Sequence, residues 1–402
     1  MEDRGFDLDG RLDALINDDL RRRLAPVDRA AERAYFAAPP DGELPVIDAD
    51  DALVFGSNNY LGLTFDRRVQ NAARQAATTV GTGAGASRLA TGDTIVHHDL
   101  ERLVAETKGT DRALAFSSGY AANTGTIAAL DPDVVFSDEH SHESIADGCR
   151  LSGSDVERYD HCDVASLDET LAKRASHAGS DDESWLVVTD SVFGTDGTVA
   201  PLSELCELAE EYGAWMMVDE AHATGLYANG GGVVQAEGLE DRIQIQMGTL
   251  STALASQGGY IAGSDALIEC LVNDASSFVH STGLAPSATA AASEALHIAR
   301  HGDCRERLWE NVNHLRDGLT SMGYEVGGDS HILPVVVDER ADALALAEAL
   351  RERRIVAPAV HPSRAPGETG GIRVTPMATH KPDEITACLE AFQKAGETVG
   401  LL

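Results

Sequence analysis

Trp215-Met216-Met217-Val218-Asp219-Glu220-Ala221-His222 joins a short apolar run to an acid and, three residues after it, a histidine. The run Trp215–Asp219 is too short for a helix and lacks polar alternation, so it reads as a strand buried on both faces. The same texture recurs at 114–117, 134–137, Trp185–Asp190 and 243–249, with amphipathic segments such as 97–108 and Leu202–Tyr212 in between. That alternation predicts a mostly parallel sheet covered by helices on both faces, an α/β architecture. Residues 260–262 follow the last run too closely for a helical crossover, so an antiparallel neighbour is expected there. From about Leu284 the texture changes to long helical stretches (285–300, 305–322), strands at 332–337 and 355–360, and a helix over 382–398. The expected division is an N-terminal segment, 1–55, packing with a small α+β domain, 284–402, and a large domain, 56–283. Residues 358–371 read as a surface loop.

A chain of 402 residues can bury a core large enough for two domains. No apolar run approaches transmembrane length, and the acidic residues 1–10 lack a signal-peptide pattern, so a cytoplasmic protein is expected. The six cysteines are scattered without a Cys-x-x-Cys pair, which points to incidental thiols rather than a disulfide framework or a metal site. A net charge of −35 argues against a nucleic-acid surface. Acidic residues are spread along the whole chain, and lysine occurs only at 108, 173, 381 and 394. Dispersed acid with little lysine is the surface expected of a halophilic protein, where salt screens self-repulsion.

Ser117-Ser118-Gly119-Tyr120-Ala121-Ala122-Asn123 follows a strand and opens a helix. Such a junction aims free amides and the positive helix end at an anion, typically a phosphate. An ordinary strand–helix turn, with Tyr120 as packing, has the same sequence. Asp219 and His222 are equally double-edged. They suit a pyridine nitrogen and a ring hydroxyl in a cofactor site, or a helix cap and a satisfied histidine.

The order of these motifs is more specific than any of them. The Ser-Gly-Tyr turn, then Ser141-His142-Glu143-Ser144-Ile145, then Asp219 to His222, precede Gly248-Thr249-Leu250-Ser251-Thr252-Ala253-Leu254-Ala255-Ser256-Gln257-Gly258-Gly259. This order resembles the fold-type-I pyridoxal 5'-phosphate (PLP) enzymes and, within them, the α-oxoamine synthases. Ser57-Asn58-Asn59-Tyr60-Leu61-Gly62-Leu63, Gly83-Ala84-Gly85-Ala86-Ser87-Arg88-Leu89, Asp196-Gly197-Thr198-Val199-Ala200-Pro201-Leu202 and Arg373-Val374-Thr375-Pro376-Met377 are similar to further family motifs. The resemblance implies the aspartate-aminotransferase-like fold and a PLP site. Ser118, Gly119 and Tyr120 would hold the phosphate end with Thr249 and Ser251, and His142 would stack on the ring. Asp219 would pair with the pyridine nitrogen, and His222, with Gly194 nearby, would face the phenolic oxygen. Arg373 would bind the amino-acid carboxylate, a task suited to a bidentate donor. Asn58, Arg364 and Arg21 complete the implied substrate contacts, Arg21 with the acyl-CoA; a solvated basic turn is the other reading of Arg21-Arg22-Arg23.

The chain departs from the family where it matters most. The residue after Thr-x-Ser or Thr-x-Gly is the lysine that tethers PLP and moves the α-carbon proton, and here it is Thr252. Gly194 stands for a serine, Ser141 and Glu143 for asparagine and alanine, Arg364 for a threonine and Gly371 for an arginine. The implied activity is condensation of L-alanine with a pimeloyl-CoA-like thioester, on CoA or a carrier protein, as in biotin synthesis, with PLP held non-covalently and catalysis impaired. The alternative is a non-catalytic subunit or inactive paralogue. Family habit implies a homodimer, and the alternative a heterodimer with a lysine-bearing paralogue.

Overall fold

The computed structural model describes residues 5–17, 24–37, 50–360 and 370–402. Its centre is a seven-stranded sheet built from β3 (Arg112–Phe116), β4 (Val134–Asp138), β5 (Asp155–Tyr159), β6 (Trp185–Asp190), β7 (Trp215–Asp219), β8 (Ile245–Thr249) and β9 (Gly259–Gly263). The order is β3-β9-β8-β7-β6-β4-β5, with β9 antiparallel to both neighbours and every other pairing from β8 to β5 parallel. The antiparallel strand expected at 260–262 is therefore present. β5 was not foreseen. It is an edge strand of sequence Asp-Val-Glu-Arg-Tyr, and only one side of it pairs, so charged residues are tolerated that would be costly in a central strand.

Alternate residues of each central strand feed two different layers. Val134, Phe136, Val187, Met216 and Val218 pack with Leu167, Leu171, Leu202 and Leu205 of helices Val164–Ala175 and Leu202–Tyr212. Val135, Leu186, Val188, Met217 and Met247 pack with Ala122, Ile127, Ile145 and Leu267 of the helices on the other face. Burial on both faces is why these strands read as continuous apolar runs.

Among the described residues, two three-stranded sheets accompany the seven-stranded one. One orders β1 (Arg33–Ala34), β2 (Ala52–Val54) and β11 (Ile355–Val356), so residues near the N-terminus pair with the C-terminal part. The other orders β10 (Leu333–Val337), β13 (Gly370–Val374) and β12 (Ala359–Val360). The single strand expected at 355–360 is two, divided at Ala357-Pro358, since proline cannot donate to a ladder. Helices Pro286–His301, Cys304–Met322 and Pro382–Val399 fall within a few residues of expectation. Among the described residues, no helix is long and apolar enough to cross a membrane. Arg21, Arg364 and most of the 358–371 loop lie outside the described residues.

Candidate active site

Parallel strands deliver their last residues to one edge of a sheet, where ligands of such folds bind. Asp219 closes β7 and is 3% exposed. Its Oδ2 accepts from Asn123 Nδ2 at 2.8 Å, and its Oδ1 accepts from the Ala221 amide at 2.8 Å. Asn123 donates also to Ser144 Oγ (2.9 Å), which meets His142 Nδ1 at 2.7 Å. The His142 amide donates to Asp190 Oδ2 at 3.3 Å, and Asp190 sits beside Asp219 in register across β6 and β7. Burial raises both carboxyls above their ordinary range: Asp190 is raised further by the adjacent Asp219, while Asp219 is held back by the bonds from Asn123 and Ala221. Asp219 forms no ion pair among the described residues. A cationic N–H placed against it would therefore meet a buried acceptor with no competing cation.

A second group lies where β3 runs into helix Gly119–Leu130. Ser118 caps that helix, its Oγ accepting from the Ala121 amide at 3.0 Å. A Cβ added to Gly119 would lie 3.4 Å from Thr249 Oγ1, at the end of β8. Thr249 Oγ1 in turn meets Ser251 Oγ at 2.8 Å and donates to Gly258 O at 3.0 Å. Hydroxyls thus border the first, unpaired amides of a helix, a setting for an anion. Tyr120 is 48% exposed and its hydroxyl bonds Asp147, so only its backbone belongs to this group.

The third group joins distant parts of the chain. Arg373, on β13, donates from Nε to Gly194 O at 2.6 Å and from Nη2 to Asn58 Oδ1 (3.1 Å) and Tyr60 Oη (3.0 Å). The Tyr60 hydroxyl also meets His222 Nδ1 at 2.7 Å. Burial, reinforced by the Arg373 and His142 charges, holds His222 at about 3, so its ring is neutral near pH 7. Gly194 is a close approach: a Cβ there would fall 2.4 Å from His222 Nε2.

Thr252 is buried in the turn between β8 and β9, and its hydroxyl donates to Ala221 O at 2.8 Å, between Asp219 and His222 in sequence. No lysine joins the group. Lys108 is drawn inside, but its Nζ is bound to Glu220 and to Gln235 Oε1 (3.2 Å); burial is the largest single influence and works against its charge, yet Glu220 and Tyr260 together more than offset it and keep it protonated. Lys173 and Lys381 are exposed, and Lys394 pairs with Glu390 at the surface.

Several members of the site carried no assigned role in the sequence: Tyr60, Asn123, Ser144, Asp190 and His331. Asp190 could have been found, since it ends a buried apolar strand as Asp219 does. His331 is fully buried, its ring packs edge-on against Tyr60 at 4.2 Å, and neither ring nitrogen has a partner among the described residues.

Comparison with known proteins identifies the family. Residues 50–392 match the model of the family Aminotransferase class I and II. An 8-amino-7-oxononanoate synthase of Lysinibacillus sphaericus is 36% identical over 395 residues, 96% of this chain and 100% of that protein. The 8-amino-7-oxononanoate synthase 2 of Bacillus subtilis is 38% identical over 399 residues, covering 98% and 100%. A serine palmitoyltransferase from S. paucimobilis, solved with a bound PLP–myriocin adduct, superposes with a TM-score of 0.88 at 30% identity, covering 98% of each chain.

Proposed function

The chain belongs to the class I and II aminotransferase family and, within it, to the PLP-dependent α-oxoamine synthases, and from that premise we propose that it binds PLP and condenses L-alanine with a pimeloyl-CoA-like thioester to an amino ketone, as in biotin synthesis. The observation that carries the reading is the buried Asp219 carboxylate, tied to Asn123 and flanked by Asp190 without an ion-pair partner among the described residues. A protonated pyridine nitrogen is the kind of group this carboxylate suits.

When bound, PLP supplies an electron sink that acidifies the amino acid's α-carbon. The chain's residues do the rest. Amides of Ser118, Gly119 and Tyr120, with the Thr249 and Ser251 hydroxyls, would hold the phosphate, and the His142 ring would pack against the cofactor ring. Asp219 would keep the ring nitrogen protonated. Neutral His222, oriented by the Tyr60 hydroxyl, would serve the phenolic oxygen. Arg373, steadied by Gly194 O and Asn58, receives the substrate carboxylate in a fixed plane.

Thr252 limits this chemistry. A hydroxyl cannot tether the cofactor, and its pKa lies too high for it to serve as a base at neutral pH. Loss of a positioned acid–base group costs on the order of 10²–10⁴-fold in rate. That the site also lacks any other lysine favours a second reading, in which the chain is the non-catalytic partner of a lysine-bearing paralogue.

The synthase reading predicts PLP that washes out on desalting and is not fixed by borohydride. Thr252→Lys should give borohydride-fixable PLP, seen as a mass increase on a peptide containing residue 252. With alanine, glycine and serine tested against several acyl-CoAs, amino-ketone formation by Thr252→Lys supports the synthase. Fixed PLP without turnover supports the partner reading, and a Thr252→Lys protein that takes up no PLP removes the synthase reading and favours the non-catalytic one.

A further inference from the structure

Away from the Asp219 group, three strand-end turns bring together side chains that the sequence keeps far apart. Asp138 ends β4 fully buried, and it organises the turns on either side. Its Oδ1 accepts from the His140 amide at 2.8 Å and stands 3.0 Å from His161 Nδ1, and its Oδ2 accepts from the Cys162 amide at 2.8 Å. With Nδ1 engaged by a carboxylate, His161 turns Nε2 outward. That nitrogen lies 3.3 Å from Asp196 Oδ2, and the same oxygen is 3.6 Å from His140 Nδ1. The His140 and His161 rings are stacked, their centroids 4.2 Å apart and their planes 29° from parallel, and Phe193 meets His161 edge-on at 4.3 Å.

We propose that His140 Nδ1, His161 Nε2 and Asp196 Oδ2 form a binding site for a zinc-class divalent transition-metal ion. Two imidazoles and one carboxylate are a borderline donor set that suits zinc or cobalt better than calcium or magnesium. The spacing agrees: bonds of about 2.0–2.1 Å at tetrahedral angles put donors about 3.3 Å apart, close to the 3.3 and 3.6 Å separations here. Asp138 supplies the carboxylate that orients a ligating histidine from behind and fixes its tautomer. The ion displaces the proton that otherwise bridges His161 Nε2 to Asp196, and it has access from solvent, since the His140 and Asp196 side chains are 36% and 28% exposed. Cys162 Sγ, 3.8 Å from His161 Nε2, stands just outside the trio. Spacing in the sequence could not reveal the site, because its donors come from three separate turns. Bound metal would tie the turn carrying His142 to the turn carrying Gly194.

The test uses the full chain, stripped with a chelator, dialysed and titrated with Co²⁺ and then Zn²⁺ in concentrated KCl. One equivalent of Co²⁺ should give the intense visible bands of a tetrahedral ion, Zn²⁺ should abolish them, and Zn²⁺ should raise the melting temperature. His140→Ala removes an exposed ring, so its metal-free melt should match the parent's, while its Co²⁺ affinity falls by at least about tenfold. Asp196→Asn should weaken binding similarly, and Cys162→Ser should not. Pale, octahedral-type spectra at many equivalents, no saturable binding, or full affinity in His140→Ala would each overturn the site.

Discussion

At the residue scale, His331 is the side chain whose environment makes the sharpest demand. Burial first, then the proximity of His222 and the Arg373 charge, push its pKa well below the usual 6.5, so it folds as a neutral ring. With neither nitrogen partnered among the described residues, it also carries the desolvation cost of an unpaired polar group, about 1–3 kcal/mol. His222 and His380 are held neutral as well, at about 3 and about 4, burial being the first cause in both. For such a group the unfolded chain binds a proton that the folded one refuses. Its stability contribution is complete above pH 6.5 and falls as pH drops from 6.5 towards the folded value. Asp190 and Asp219, with raised values, act in the opposite sense above pH 3.8, so the parent's total profile mixes signs. A difference between proteins isolates one group. His331→Leu keeps an apolar contact with Tyr60, and its stability relative to the parent should improve by about 1.4 kcal/mol for each pH unit below 6.5. Urea unfolding at pH 8 and pH 5.5 measures this, and an unchanged difference between the two pH values would show that His331 is not held neutral.

At the scale of elements, the phosphate-side group depends on how closely β9 approaches the helix that starts at Gly119. A Cβ on Gly259 would come within 2.6 Å of the Gly119 Cα and N and 2.7 Å of the Ser118 carbonyl carbon, all backbone atoms that cannot rotate away. Gly259→Ala should therefore cost roughly 1–3 kcal/mol of stability and weaken PLP binding more than tenfold by shifting the helix start. Unfolding curves and PLP titration measure the two effects, and wild-type affinity in a destabilised variant would separate helix placement from cofactor binding. The sequence announced this junction, the central strands and the antiparallel return of β9, because burial on both faces leaves unbroken apolar runs. β5 stayed hidden because an edge strand can carry Asp155, Glu157 and Arg158. Asp219 with His222, Gly119 and Thr249 each lie in a motif at the end of a single strand, β7, β3 and β8 in turn, and the order of those motifs along the chain is what singled them out. The bonds of Arg373 to Asn58 and Tyr60, spanning 315 and 313 residues, were not, since no local pattern records which distant loops a fold brings together. The same holds for the trio of His140, His161 and Asp196, which comes from three strand-end turns that only the sheet order sets side by side.

At the scale of the whole molecule, 66 acidic and 31 basic residues leave a net charge of −35 that the fold must hold together. Many of the ion pairs are exposed Arg–carboxylate contacts, such as Arg102–Glu106 and Arg307–Asp303, which contribute little each. Unscreened self-repulsion is then the term that salt controls. Raising KCl from about 0.1 M to about 1 M shortens the screening length from about 10 Å to about 3 Å, so the unfolding midpoint should rise by several degrees, on the order of 5 °C or more. KCl is the right salt because strongly excluded anions such as sulfate would stabilise any core. The same balance would govern a homodimer. Helix Leu8–Asn17 exposes Leu8, Leu12, Leu15 and Ile16, an apolar face that none of the described residues covers, and the homodimer that the family resemblance implies would bring two like-charged bodies together. Sedimentation should therefore give a dimer in high KCl and dissociation as salt is withdrawn. Monomer alone in high KCl at micromolar protein would exclude the homodimer. A dimer equally stable at low salt would mean that the charge is directed away from the interface, and a midpoint that does not move with KCl would remove the high-salt reading of the composition.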